Sequence, residues 1–210
     1  MPTEVILARH GRTPWHAPNR YTGRSDIPLD EVGERQARGL AAWAKDAALT
    51  GLACSDLIRA RATAAPVADA TGLVPTVDPR LRELDFGIAE GRTLAEIRAD
   101  DPLVVERFVA DPVAHHFPGG EPPGDAVARA LAALADLVAA DPGGRLLVVA
   151  HSTLIRLVTC AVLGVPLSEY RRRLPALAPA AITTLRFPTQ PNEPVALLAY
   201  NVPVSGGCRA

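Results

Sequence analysis

Six short apolar runs, EVILAR, GLACSD, PTVDP, LLVVAH, ITTLRF and VALLAYN, alternate with longer stretches of helical period, and this alternation constrains the chain more than any other feature. The short runs, bounded by turn residues, read as strands, and the longer stretches, with apolar residues three and four apart, read as helices. Strands that are apolar along their whole length are buried on both faces. The expected fold is therefore an α/β/α sandwich of three layers around a mostly parallel central sheet. Helices are expected at Leu29 to Leu49, Asp56 to Thr71, Thr93 to Ala99, Pro102 to Ala110, Asp125 to Ala140, Ser152 to Leu163 and Leu167 to Leu174. Ser55 or Asp56 is expected to cap the second of these, and Gly72 to end it in a left-handed turn.

At 210 residues with no break in composition, one domain over 1–210 is expected, with a flexible tail from about 203 to 210. AHHFPGGEPPGD is rich in Pro and Gly and reads as a loop inside that domain. A net charge of -1 supplies no bulk field to gather nucleic acid or an anionic membrane, so neither is expected as a partner. Cys54, Cys160 and Cys208 are odd in number and widely spaced, which suggests neither a disulfide framework nor a zinc site. The N-terminus lacks the pattern of a signal peptide, and the most apolar helix carries Arg156 and is too short for a bilayer. A cytoplasmic location is the expectation.

The chemistry concentrates where strands end. His10 follows VILAR and His151 follows LLVVA, so two parallel strands would bring both imidazoles to one rim, the edge where open α/β sheets place ligands. GLACSD leads to Arg59 and Thr63, and RLRELDFG delivers Glu83 near the same edge. A metal bound beside Arg9 and Arg59 would face a cationic wall, and no short metal-ligand spacing occurs, so no metal and no other cofactor is expected. Forked guanidiniums suit a phosphoryl group, a neutral imidazole can attack phosphorus, and one carboxyl can protonate a leaving oxygen and then activate water. Gly11 would leave room for that approach.

Five ordered blocks carry a resemblance to the histidine phosphatase superfamily, the phosphoglycerate-mutase-like fold: Arg9-His10-Gly11 with Thr13 and Trp15, NRYTGRSDIPLDEVGERQA, CSDLIRARATA, LRELDFGIAEG and VVAHSTLIRLV. The resemblance implies a phosphohistidine intermediate on His10, Glu83 as proton donor, His151 as the second catalytic histidine, and Arg9 and Arg59 on the phosphate. It places His16 where an asparagine that helps hold phosphate is usual, Arg12 where Glu or Ser is common, and Ser152 and Thr153 where glycines often follow the histidine. Arg20, Tyr21 and Arg24 are the candidates on the substrate side, with His115 and His116 as further ones.

The reading is a phosphate monoester hydrolase acting on a small phosphorylated metabolite, as a monomer or homodimer. Two alternatives stand beside it. A phosphoglycerate mutase would be expected to carry a longer, more basic insertion between Glu83 and His151, and an inactive phospholigand-binding protein would not need every charged catalytic group. Arg171, Arg172 and Arg173 are read as complementing a helix dipole rather than as a nucleic-acid patch.

Overall fold

The computed structural model describes residues 1–190 and 193–204. Its six strands are β1 (Thr3–Arg9), β2 (Gly51–Cys54), β3 (Thr76–Val77), β4 (Arg145–Ala150), β5 (Ile182–Phe187) and β6 (Ala196–Val202), in the spatial order β3-β2-β4-β1-β5-β6. β3, β2, β4 and β1 run parallel, while β5 lies antiparallel to both β1 and β6. Seven helices accompany them: α1 (Glu31–Ala44), α2 (Ile58–Thr71), α3 (Leu94–Asp100), α4 (Pro102–Ala110), α5 (Pro123–Ala140), α6 (Ser152–Val162) and α7 (Tyr170–Arg173).

Alternation along the strands explains the layers. Ile6 and Ala8 of β1, with Leu147 and Val149 of β4, face α1 and α2. Val5 and Leu7, with Leu146 and Val148, face α5, α6 and the α3–α4 pair. Both faces are thus buried, which is why these strands read as continuous apolar runs.

Several boundaries differ from expectation for local reasons. α2 begins at Ile58 and not at Asp56: the Oγ of Ser55 accepts from Leu57 N, Asp56 pairs with Arg82, and the cap at Ile58 N comes from Asp26 Oδ1 at 2.7 Å. Gly72 does end this helix in the left-handed region, at φ 76°. α5 starts earlier than Asp125 because Pro123 occupies its first turn, where a missing N–H costs nothing. The segment expected as one helix from Leu167 to Leu174 is a 3-10 turn followed by the single turn of α7. Of the tail expected to be flexible, Val204 packs into the α1–α2 side of the core, and Cys208 lies outside the described residues.

The glycine after His10 also meets a packing constraint that local sequence does not suggest. A Cβ on Gly11 would lie 2.6 Å from the carbonyl oxygen of Gly33, and one on Gly33 would lie 2.0 Å from that of Arg12. Gly11 is therefore required by the first turn of α1, which the 10–12 loop crosses at backbone contact. Gly33→Ala should force that loop off the helix and cost about 1 to 3 kcal/mol of stability. Urea unfolding would measure the loss, and an unchanged midpoint would refute the contact.

Candidate active site

The register of β1 against β4 builds the centre. Arg9 lies opposite Ala150, and His10 N donates to Ala150 O at 3.0 Å, so His10 and His151 leave adjacent strands at the same level. Their ring centroids are 5.1 Å apart. The Nδ1 of His10 lies 2.7 Å from the carbonyl oxygen of Gly11, a group that can only accept. The neutral ring therefore carries its proton on Nδ1 and leaves the Nε2 lone pair free. Thr63, one turn along α2 from Arg59, fixes the loop by accepting from Gly11 N at 3.0 Å while donating to Arg59 O.

Arg59 is fully buried, yet among the described residues no carboxylate forms an ion pair with it. Its guanidinium donates instead to the carbonyls of Thr22, Gly23 and Ser25 at 3.2, 2.8 and 2.8 Å, and its Nε has no partner among the described residues. Arg9 donates to the carbonyl of Leu177, and its Nε is likewise buried without a partner. His16 turns its Nδ1 to accept from Thr13 N at 3.0 Å, so in the neutral ring the proton sits on Nε2. That Nε2 lies 2.6 Å from Arg9 Nη2, which is also a donor.

Glu83 sits across the cleft at the N-terminus of α6. Its Oε1 accepts from Leu84 N and Leu154 N at 3.0 and 2.9 Å, and its Oε2 from Thr153 N at 2.9 Å. The helix start thus pins the carboxyl, which is 6% exposed. Ser152 and Thr153, found where glycines were expected, serve as the opening residues of α6 and line the cleft.

Burial is the largest influence on every imidazole here. Loss of water, reinforced by Arg59 and its neighbours, holds His10 and His151 well below the ordinary histidine value and His16 down to about 4. Burial also brings Arg9 down to about 10, which leaves it charged at neutral pH. Two buried guanidiniums, three neutral imidazoles and one pinned carboxyl can hold a tetrahedral dianion beside an unprotonated ring nitrogen.

The cleft encloses about 280 Å³, and Arg9, His10, His16 and Glu83 all line it, with His151 and Arg59 buried behind. Arg20 and Tyr21 reach its wall, but Arg20 is held bidentately by Glu96 at 2.7 and 2.9 Å. Arg24 does not reach it: Asp85 draws the side chain away at 3.0 Å, and it is 68% exposed. His115 and His116 also lie off the cleft wall, and Arg12 pairs outside it with Asp30 at 2.7 Å.

Among the cleft residues that the sequence reading did not single out are Arg156, Tyr170 and Arg171. Arg156 lies four residues after Ser152, on the same side of α6, and that spacing was a usable signal. Arg171 was grouped with its neighbours as a dipole partner. α7 is only one turn long, and Arg171 faces the cleft over the ring of Phe108 while Arg172 and Arg173 pair with Glu169.

These features define an α/β/α protein with a cationic, imidazole-bearing cleft at the carboxyl edge of its parallel strands. The profile of the histidine phosphatase superfamily (branch 1) matches residues 5–199. A protein of Enterobacter sp. (strain 638) named probable phosphoglycerate mutase GpmB is 37% identical over 169 residues, covering 80% of this chain and 79% of its own. Among solved structures, "Mycobacterial hydrolase 1" superposes with a TM-score of 0.89 at 30% identity, over 97% of this chain and 100% of its own. The mycobacterial glucosyl-3-phosphoglycerate phosphatase gives 0.86, also at 30% identity, over 96% and 100%. The chain belongs to the histidine phosphatase superfamily.

Neutral burial of the imidazoles has a thermodynamic sign. Below pH about 6.5 the unfolded chain binds protons that the folded histidines refuse, so folding stability falls as pH is lowered from there, with the His16 contribution running down to its folded value near 4. Urea unfolding free energies between pH 7 and 5.5 should therefore rise with pH, and His16→Asn should flatten the slope. The same slope in both proteins would show that His16 is not held neutral by the fold.

Proposed function

We propose that this protein is a phosphate monoester hydrolase that works through a phosphohistidine, without a metal, on a small phosphorylated metabolite. The observation that carries this reading is the His10 Nδ1 contact with the Gly11 carbonyl, which aims the Nε2 lone pair into a cleft of guanidinium and imidazole donors. Nε2 attacks phosphorus in line, the N–P bond forms as the P–O bond breaks, and Glu83 supplies the proton to the departing oxygen. Water then attacks phosphorus, Glu83 takes its proton, and inorganic phosphate leaves with His10 restored. Arg9, Arg59, His16 and His151 carry the growing charge on the equatorial oxygens. The guanidiniums of Arg9 and Arg59 beside His10 disfavour a divalent cation there, and the single carboxyl across the cleft, Glu83, has its oxygens engaged by three backbone N–H groups.

Arg20 and Tyr21 remain candidates for touching the leaving group, now with Arg156 and Arg171 beside them, whereas Arg24 does not. A mutase is the second reading, favoured by the name of the curated relative. Hydrolysis is preferred because the stretch between Glu83 and His151 carries no long basic insertion that would retain a phosphorylated product.

With chelator present, the wild type should release phosphate from an aryl phosphate, His10→Ala should lose nearly all turnover, and Arg59→Met should lose roughly two to three orders of magnitude. Turnover abolished by chelator, or retained by a folded His10→Ala protein, would sink the proposal. Conversion of 3-phosphoglycerate to 2-phosphoglycerate faster than phosphate release would instead make the protein a mutase. Phosphate-ester binding with no turnover would favour a binding protein.

A further inference from the structure

Glu90 lies outside the cleft wall, and none of the functional roles above uses it, yet its carboxylate is the most heavily bonded in the site's surroundings. Its Oε1 accepts from Gly23 N at 2.9 Å, Arg24 N at 3.2 Å and Phe86 N at 3.1 Å. Its Oε2 accepts from Ser25 Oγ at 2.7 Å and Ser25 N at 3.3 Å. No arginine or lysine pairs with it among the described residues, so backbone dipoles and one hydroxyl satisfy the charge.

Gly23 and Ser25, which donate their N–H groups to Glu90, also offer their carbonyls to Arg59. The 22–25 turn is therefore gripped from both sides, by the carboxylate on one and the buried guanidinium on the other. Its approach is close enough that a Cβ on Gly23 would stand 2.1 Å from Glu90 Oε1 and 2.2 Å from Leu84 O. The bond to Phe86 N ties the same carboxylate to the segment that leaves Glu83. Backbone bonds from Tyr21 N to Arg92 O and from Gly91 N to Tyr21 O, both 2.9 Å, hold the turn's near end beside Glu90.

We propose that Glu90 is the positioning residue of Arg59: it fixes the turn whose carbonyls aim that guanidinium at the substrate phosphate. This rests on the reading that Arg59 binds phosphate. A fully buried arginine with no carboxylate partner keeps its aim only while its carbonyl acceptors stay in place, and five donors to one carboxylate keep them there. Replacing Oε2 with an amide nitrogen would set a donor against Ser25 N and release half of the grip.

The test is the affinity for inorganic phosphate, measured calorimetrically on the full chain for wild type, Glu90→Gln, Arg59→Lys and the double variant. Glu90→Gln should weaken binding about tenfold, and the same change in the Arg59→Lys background should cost less than about threefold, since lysine cannot use the carbonyl fork. Unchanged affinity in Glu90→Gln, or an equal loss in both backgrounds, would overturn the proposal, because a merely structural carboxylate would not be coupled to Arg59. If Arg59→Lys binds phosphate as the wild type does, the role of Arg59 fails and this inference falls with it. Should Glu90→Gln not fold, Ser25→Ala removes only the hydroxyl bond and should weaken phosphate binding about threefold, again only when Arg59 is present. No change in Ser25→Ala would count against the proposal.

Discussion

The rest of the site depends on holding Arg59 in the interior without an opposing carboxylate in contact. A guanidinium stripped of water is costly, and most buried cations recover the loss through an ion pair. Here three carbonyl oxygens of one turn do so, which lowers the desolvation cost, while Glu83, Asp26 and Glu90 act on the charge only without direct contact. A carboxylate in the same place would have made a more ordinary core and a poorer anion site. The turn thus acts as a solvent shell of fixed geometry, and preorganised dipoles of this kind need no rearrangement as charge moves.

The positive field reaches the imidazoles. His10 and His151 stand within it, are cut off from water, and remain neutral, which for His10 means a free lone pair and for His151 a capacity to donate or accept. The parallel pairing of β1 with β4 sets their separation, and the carbonyl of Gly11 chooses the tautomer. Sheet register, buried cations and one short contact therefore do separate jobs that are each incomplete alone. Elsewhere in the fold Arg20, Arg24, Arg82 and Arg129 all have carboxylate partners, whereas among the described residues Arg9, Arg59, Arg156 and Arg171 form no ion pair.

Much of this was legible in the residues. Strands buried on both faces announce themselves as apolar runs, and a histidine directly after such a run can only stand at the strand's carboxyl end, so the meeting of His10 and His151 followed once the strands were taken as parallel. What sequence reasoning missed depends on contacts between distant segments. Asp26, 32 positions before Ile58, caps α2 in place of Ser55 or Asp56. Gly11 owes its size to Gly33, and Arg24 owes its direction to Asp85. Arg171 looked like one member of a basic triplet because its place over the Phe108 ring is a contact between distant segments that leaves no mark on local composition.

The four arginines without carboxylate partners also carry a consequence for the whole molecule. Arg9, Arg156 and Arg171 line a cleft of about 280 Å³ with Arg59 buried behind it, and like charges so placed repel one another. On the proposed function, a phosphorylated ligand settling among them would relieve that repulsion and bind only the folded chain, which would link folding to ligand concentration by mass action. On that reading its resistance to unfolding would be a property of the surrounding solution as much as of the sequence, rising with the logarithm of free ligand once the cleft is saturated.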